Sequence, residues 1–395
     1  MIKNFPNKKT KIVCIANAFV SSKETGGGDQ FLMELARRCP VNLNLIIILP
    51  KIGFDHYQKA GIKKDNIHYL VLPSSPFDNN TNPILIFIAY LIRGIQTYLL
   101  LNKIPSFDAI HTATDIISDT LPVYLYYLGR RRIFWTARFF HFIEAPLKRK
   151  GNLLVNAFSY LLQQLSLNFI KRADLIMIDN PNLLSIFLKK GFKNSQLEIH
   201  PGGVDIKTIS NVRPNKCKSE AVFIGRLQPH KGVFDAIEIW NRVTSKLPNA
   251  KLVMIGHGTK EMMEKLKSEI KKAHLEKNIL FTGYIYNREE IYSYCRSSKL
   301  LLFLDHEAGF GLVNAEAMAA GIPVVAYDLP IFGSTYKKGY LISPKENVDL
   351  VAKNVLEVLT MPPKQSVLSL RAKREALRFD WSRVSRKFYN SIISS

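Results

Sequence analysis

The chain has few cysteines for its 395 residues, and the four are far apart (Cys14, Cys39, Cys217 and Cys295). It contains no Cys-x-x-Cys pair and no cysteine–histidine cluster. This absence argues against a structural zinc site or a disulfide framework, and it fits a reducing cytoplasm. No signal-peptide core follows the basic residues between Met1 and Lys11, so we expect a cytoplasmic protein.

Acidic residues are also scarce, since 32 Asp and Glu stand against 55 Lys and Arg, giving a formal net charge of +23. Such a charge favours polyanionic surroundings, namely nucleic acid, anionic lipid or phosphorylated substrates. No basic patch interleaved with base-stacking aromatics occurs, so we expect no nucleic acid partner. Peripheral contact with an anionic membrane is the preferred interpretation, and a solvated cationic surface is the alternative.

Charge-free apolar runs long enough to span a membrane are missing as well. The most apolar segment, Pro83 to Leu101, carries Arg93 near its middle, which makes a membrane span costly. We interpret this segment as a core helix of an α/β domain, with a helix that grazes a membrane as the alternative. A content of 47% hydrophobic residues is typical of a folded globular protein. The length of 395 residues is sufficient for two domains.

A glycine loop, a helix and a strand follow one another from His306 to Tyr327. Gly309 and Gly311 allow a tight bend and a close approach of the backbone to a ligand. The helix is predicted to start near Leu312 and to stop at Gly321, and its unpaired N–H groups suit an anion. Glu316, one turn into the helix, could accept hydrogen bonds from neighbouring hydroxyls. An ordinary loop–helix–strand unit is the alternative.

A strand, a turn and a helix start occupy residues 221–232, with Arg226 after the strand and Lys231 at the helix entrance. Ligands of open α/β sheets collect at this end of the strands. The planar fork of arginine and the point charge of lysine together suit a diphosphate. Two solvated surface cations are the alternative.

Strands alternate with helices along the whole chain, which is typical of doubly wound parallel sheets. The predicted strands are Lys11–Ala16, Leu43–Leu49, His68–Leu72, Phe107–His111, Ile133–Thr136, Ala173–Ile178, Ala221–Gly225, Lys251–Gly256, Asn278–Thr282, Lys299–Leu304 and Pro323–Ala326. A charged loop is expected after Leu49 up to about Ile67. A polar linker is expected from the end of the first domain, at Asp205, to about Ser219.

Several motifs occur in a fixed order, and in that order they are specific. They are Gly26-Gly27-Gly28, Pro201-Gly202-Gly203-Val204-Asp205, Gly225-Arg226-Leu227 with Pro229 and Lys231-Gly232, Gly256-His257-Gly258, and Gly309-Phe310-Gly311-Leu312 with Glu316-Ala317-Met318-Ala319. With them the chain resembles the retaining glycosyltransferases of the GT-B fold, called glycosyltransferase family 4, over nearly its whole length.

The resemblance implies an α/β fold with two Rossmann-like, doubly wound parallel-sheet domains facing a cleft. Residues 1–205 would bind the acceptor, residues 206–380 would bind a nucleotide-sugar donor, and residues 381–395 would form a helix crossing back to the first domain. The implied enzyme transfers a sugar with retention to a glycan or lipid-linked acceptor in cell-surface polysaccharide or glycolipid synthesis. It would work on the inner face of the cell membrane. An inactive scaffold of the same fold and a sugar-nucleotide epimerase are the alternatives.

The resemblance also implies roles for individual residues. The catalytic residues would be Arg226, Lys231, Glu307 and His141. The donor would contact Gly27, Gly28, Gly225, Tyr284, Gly309, Phe310, Gly311, Leu312, Val313 and Glu316. The chain has no Asp-x-Asp motif, which some glycosyltransferases use to bind Mg²⁺, so we expect no metal and no cofactor. Fixed cations and helix-terminal amides can instead stabilise the departing diphosphate.

The chain departs from the family pattern directly before the Gly-Phe-Gly sequence. The family places a glutamate there, whereas this chain has Ala308, and Glu307 lies one position earlier. We expect a local bulge to bring Glu307 to the donor sugar. The alternative is that this contact is missing, which would favour the inactive scaffold.

Overall fold

In a computed structural model the chain folds into two compact units, and the structure describes residues 10–20, 27–80, 82–129, 133–149 and 152–393. The first unit comprises the described residues up to Pro146, Asn152–Pro201, and those from Ser382 onwards. The second comprises Gly202–Trp381 and a short segment beginning at Leu147. The division lies between Pro201 and Gly202, compared with the expected boundary after Asp205.

A seven-stranded, all-parallel sheet forms the first unit, in the order β3-β2-β1-β4-β5-β6-β7. Its strands are β1 Thr10–Ile15, β2 Leu43–Pro50, β3 Ile67–Leu72, β4 Ala109–Thr112, β5 Phe134–Phe139, β6 Leu175–Ile178 and β7 Leu197–Ile199. The helices are α1 Gly27–Arg37, α2 Lys51–Lys59, α3 Pro83–Leu101, α4 Ile117–Gly129, α5 Leu153–Ile170 and α6 Pro181–Lys189. The central strands are continuous runs of buried apolar residues, as expected for parallel strands covered on both faces.

A six-stranded parallel sheet forms the second unit, in the order β10-β9-β8-β11-β12-β13. Its strands are β8 Ser219–Ile224, β9 Leu252–Ile255, β10 Ile279–Gly283, β11 Ser298–Phe303, β12 Val324–Tyr327 and β13 Tyr340–Ser343. The helices are α7 Ile206–Asn211, α8 Val233–Thr244, α9 Lys260–Lys272, α10 Arg288–Ser297, α11 Leu312–Ala320, α12 Ile331–Ser334, α13 Val348–Thr360 and α14 Pro362–Ala376, followed by α15 Trp381–Ile393. All but the first residue of α15 belong to the first unit.

The predicted doubly wound α/β fold is confirmed, because both sheets are parallel and their strand order reverses once, at β1/β4 and at β8/β11. The prediction of a charged loop after Leu49 is wrong, because helix α2 occupies Lys51–Lys59 and buries Ile52 and Tyr57. Only a few apolar residues anchor this helix, so its periodicity is weak. The expected linker likewise contains the short helix α7.

The interpretation of Pro83–Leu101 as a core helix is also wrong. Helices α3 and α5 both have the length and apolar composition of a membrane span, and only 28% of the span window in each is buried. The buried share of each helix includes polar side chains, among them Arg93 and Thr97 in α3 and Gln163 and Ser166 in α5.

Candidate functional site

Two loops of the second unit meet where its strand order reverses. One loop follows β8 and the other follows β11, and these strands are neighbours in the sheet. The His306 N–H donates to the His230 carbonyl at 3.0 Å. Gly232 has φ +70°, and a Cβ there would lie 2.5 Å from the Leu304 carbonyl oxygen. Such a crevice beyond the carboxyl ends of the strands is where open α/β sheets bind ligands.

Asp305 links the two predicted cations to the second loop. Lys231 Nζ forms an ion pair with the Asp305 carboxylate. Burial raises the pKa of Asp305, while the charges of Lys231 and Arg226 act in the opposite direction. Arg226 itself is exposed. The structure therefore pairs Lys231 with this carboxylate, whereas Arg226 acts on it through its charge alone.

His230 lies among these cations and stays neutral. Burial, together with the charges of Lys231, Arg149 and Arg226, lowers its pKa to about 4. Sequence reasoning gave no role to His230 or Asp305, because neither their spacing nor their neighbours marks them. Only the contact between the two loops shows that they belong to the site.

Glu307 is paired with Arg149, which lies in the short segment that belongs to the second unit. The Glu307 Oε1 atom lies 2.9 Å from Arg149 Nε and 2.7 Å from the terminal nitrogen Nη2. Ala308 packs against the apolar core. The role of Glu307 towards a donor sugar stays a prediction. The cationic residues Arg130–Arg132 and Lys150 lie outside the described residues.

Gly311 ends the glycine loop in a conformation that requires glycine. Its φ is +69°, and a Cβ would lie 2.6 Å from Asn314 Nδ2. Helix α11 then starts at Leu312, as predicted, and no side chain caps it. The amides of Gly309, Leu312 and Val313 belong to this loop and first turn, and their role towards a donor stays a prediction.

The side chain of Phe310 belongs to the core. Its ring lies 5.5 Å from that of Tyr336 and 5.2 Å from that of Phe379, centroid to centroid, and only 5% of the residue is exposed. Phe310 therefore remains a candidate for donor contact through its backbone alone, since its ring fills the interior beneath the loop.

Two buried polar side chains lie in the first turns of α11. Glu316 is 2% exposed and forms an ion pair with Arg288, and its Oε1 accepts a hydrogen bond from Tyr292 Oη at 3.3 Å. Its Oε2 has no hydrogen-bond partner among the described residues. Asn314 is fully buried, and neither of its side-chain polar atoms has a partner in the described part of the chain. Both side chains therefore have polar atoms whose hydrogen-bonding capacity the described residues leave unsatisfied.

Tyr284 lies between β10 and α10, close in sequence to Arg288, which forms the ion pair with Glu316. It is partly buried, and its ring lies 4.8 Å from that of Tyr286. Arg288 begins α10, and its guanidinium lies 5.6 Å from the Tyr292 ring. The segment that carries the predicted donor contact Tyr284 thus leads directly into the Arg288–Glu316 pair.

Gly225 and Gly256 line the same sheet edge in different ways. A Cβ on Gly256 would lie 1.8 Å from the Gly225 carbonyl oxygen, and its φ is +150°. The close approach of the two backbones therefore requires glycine at position 256. Open space surrounds the Cβ position of Gly225. Its donor contact stays a prediction.

The remaining candidates lie in the first unit. Gly27 and Gly28 start α1, and a Cβ on Gly28 would lie 2.8 Å from the Phe140 ring. Gly26 lies outside the described residues. His141 is half-buried, and its carbonyl accepts a hydrogen bond from Gln163 at 2.9 Å. The roles of these residues towards a donor stay predictions.

Residues 205–375 match the family model of glycosyl transferases group 1. This part of the chain is a glycosyl transferases group 1 domain. The prediction of a glycosyltransferase is thereby confirmed for it, and the assignment to the retaining family 4 stays a prediction. No group of three His, Cys, Asp or Glu side chains that could hold a metal ion occurs within the described ranges.

Similar proteins agree with this domain assignment. The poly(glycerol-phosphate) alpha-glucosyltransferase of Bacillus subtilis is 37% identical over 111 residues, which are 28% of this chain and 16% of that protein. The chain spans less than half the length of the first curated relatives that it matches.

Two solved structures resemble the chain over nearly its whole length. Sucrose-phosphate synthase from Thermosynechococcus elongatus has a TM-score of 0.80 at 14% identity, with 98% of this chain and 99% of that chain covered. Anabaena HepE in complex with UDP and glucose has a TM-score of 0.74 at 17% identity, with 98% and 100% covered. The predicted GT-B fold is confirmed by this likeness.

Proposed function

We propose that this protein is a retaining glycosyltransferase that moves a sugar from a nucleotide-sugar to a glycan or lipid-linked acceptor in cell-surface polysaccharide or glycolipid synthesis. It needs no metal ion or other cofactor. It acts in the cytoplasm, on the inner face of the cell membrane. Anabaena HepE, solved in complex with UDP and glucose, supports this class of donor. The poly(glycerol-phosphate) alpha-glucosyltransferase of Bacillus subtilis supports a polymeric acceptor.

The observation that carries the proposal is the buried Oε2 of Glu316, which has no hydrogen-bond partner among the described residues. Leaving a buried carboxylate oxygen unpaired is costly, so such an atom indicates a ligand with hydroxyl donors. A ribose provides a pair of such hydroxyls. Glu316 is one turn into a helix whose first amides follow the glycine loop, where a phosphate is favoured.

The cations of the crevice would stabilise the leaving diphosphate. As the bond between the sugar and the phosphate oxygen breaks, negative charge develops on that oxygen, and Arg226 and Lys231 act on it. Preorganised positive groups of this kind contribute roughly a hundredfold to a thousandfold in rate each. Asp305 holds the Lys231 ammonium in place through their ion pair.

The acceptor hydroxyl attacks the same face of the sugar that the diphosphate leaves. A bond forms from the acceptor oxygen to the anomeric carbon, and the acceptor proton passes to the departing phosphate oxygen. The configuration at the anomeric carbon is therefore retained. The chain needs no separate carboxylate base for this step.

The test is turnover of purified protein with a panel of nucleotide-sugars, read as slow donor hydrolysis without acceptor and repeated with EDTA. We expect hydrolysis that EDTA does not abolish. Arg226→Ala, Lys231→Ala and Glu316→Ala should each lower the rate roughly a hundredfold. Lys251→Ala, an exposed lysine of the same unit, is the control. Near-normal turnover in all three site variants would refute the site.

The pairing of Glu307 with Arg149, together with Ala308, favours a second candidate, a non-catalytic scaffold. Calorimetry with nucleotide-sugars separates the two functions, because a scaffold would bind a donor without hydrolysing it. Conversion of the donor to its epimer in the same assay would instead reveal a sugar-nucleotide epimerase.

A further inference from the structure

Helices α3, α4 and α5 form one layer on the sheet of the first unit, called here the apolar helix layer. The rings of Phe87 and Phe158 join α3 to α5 at 5.1 Å. The hydroxyls of Thr120 and Ser166 join α4 to α5 at 2.8 Å. All residues of these helices are described, and they contain only two charged side chains, Arg93 and Asp119, both buried.

The two charged side chains of the layer and several of its polar ones are buried against the rest of the unit. Arg93 donates to the carbonyls of Asn17 and Phe19 at 2.8 and 2.6 Å and pairs with Asp78. On α5, Gln163 donates to Asp115 at 2.8 Å, and Ser166 is fully buried.

Most exposed positions of the layer are apolar, and Asn168 on α5 is an exposed polar exception. On α3 the apolar positions repeat at helical spacing along the whole length, as Ile84, Ile88, Leu91, Ile95 and Leu99. The exposed large apolar side chains of the layer are Ile84 (65%), Ile95 (58%), Leu99 (55%), Leu125 (40%), Leu128 (57%), Leu153 (50%), Leu154 (80%), Val155 (37%), Leu161 (63%) and Leu165 (44%). A helix in contact with water has the opposite arrangement, with its polar side outwards.

We propose that the apolar helix layer is the face by which this protein lies in an anionic lipid bilayer. A contiguous apolar surface of this kind marks an interaction site. Basic residues follow each helix of the layer in the sequence, namely Lys103, Arg130–Arg132 and Lys171-Arg172. They suit anionic headgroups, as does the net charge of +23.

The helices lie in the interface plane and do not span the bilayer. Because α3 and α5 pack through inward polar groups on the same unit, neither can turn its inner side towards lipid. The layer supplies the membrane contact that the proposed function calls for, and a lipid-linked acceptor would reach the protein from the same bilayer. Binding to vesicles can be measured whether or not the protein transfers sugar.

The test is sedimentation of the full chain with vesicles of phosphatidylcholine alone or mixed with phosphatidylglycerol. We expect binding mainly to the mixed vesicles. The triple variant Ile95→Gln/Leu99→Gln/Leu161→Gln should lower the partition coefficient by roughly tenfold or more, since three apolar side chains leave the lipid. The control Leu280→Gln/Leu370→Gln/Leu377→Gln changes exposed leucines of the second unit and should bind like the wild type.

Three results would overturn the proposal. They are no vesicle binding by the wild type, equal binding by the triple variant, and a dimer in gel filtration that the triple variant dissociates without any vesicle binding. Donor hydrolysis without acceptor, measured on the same samples, should be unchanged in the triple variant, and its circular dichroism should match the wild type. Absence of hydrolysis in every sample, with vesicle binding as expected, would contradict the proposed function alone.

Discussion

Arg288 forms an ion pair with Glu316 and so orients the one buried carboxylate of helix α11. The pair is asymmetric, because 33% of the Arg288 side chain is exposed and only 3% of the Glu316 side chain is. Arg288 can therefore be changed without opening the core, whereas Glu316 cannot. This makes Arg288 the residue through which the position of the carboxylate can be tested.

Arg288→Ala should raise KM for the donor about tenfold, with a smaller change in kcat, because a loosened Glu316 carboxylate costs about 1.4 kcal/mol of binding. Arg288→Lys should restore part of the loss. The measurement is steady-state kinetics of donor hydrolysis. The control is Arg242→Ala, which removes an exposed ion pair with Glu238. An unchanged KM in Arg288→Ala would show that the pair has no part in donor binding.

Asn314→Leu should stabilise the free protein and weaken donor binding. The amide of Asn314 is buried without a partner among the described residues, so its removal should recover about 1 kcal/mol in the free energy of unfolding. The same change removes a group that could bind the donor. Urea unfolding and calorimetry with the nucleoside diphosphate measure the two effects, and Asn241→Leu, on the exposed side of α8, is the control. Unchanged affinity would assign Asn314 to the core alone.

Gly311→Ala should lower the free energy of unfolding by about 2 kcal/mol, because φ of +69° strains any residue with a Cβ and because Asn314 stands in its way. Gly129→Ala places a Cβ in open space at the end of α4 and should be nearly neutral. Thermal unfolding of both variants compares the two sites. Equal melting temperatures would contradict a requirement for glycine in the loop.

His111 should make stability fall as the solution is acidified. Burial lowers its pKa to about 3, with smaller effects from Arg138 and His200, whereas an unfolded histidine titrates near 6.5. Between these values only the unfolded chain takes up the proton, so stability is complete above pH 6.5 and is lost towards pH 3. The loss is about 1.4 kcal/mol for each pH unit.

Urea unfolding from pH 7 to pH 4 checks this prediction. His111→Asn should remove that share of the slope, whatever its effect on stability at neutral pH. His68→Asn, at an exposed position of β3, should keep the slope of the wild type. Parallel slopes for all three proteins would show that His111 does not control the acid response.

Much of the fold could be predicted from the sequence, because buried parallel strands are continuous apolar runs and glycines mark the helix ends. Gly321, for instance, ends α11 with φ +90°. Helix α2 was missed because Ile52 and Tyr57 are among its few buried anchors. Strand β13 was missed because Tyr340–Ser343 is short and partly exposed.

The main candidate residues of the site were predicted from the sequence, and the residues that pair with them were not. Arg226, Lys231 and Glu316 are marked by motifs, whereas Asp305, Arg288 and Arg149 act through contacts between segments distant in sequence. Spacing carries no information on such contacts. The error on α3 has a related cause, since the sequence does not show how much of an apolar segment the rest of the protein covers.

The exposed apolar side chains of α3 and α5 have a consequence for production of the protein. When the chain is made in excess of the available membrane, its outer leucines have only each other to contact, and it should collect in the insoluble fraction. A mild detergent added at lysis should recover it as monodisperse particles. Replacing those leucines by glutamine should make the detergent unnecessary.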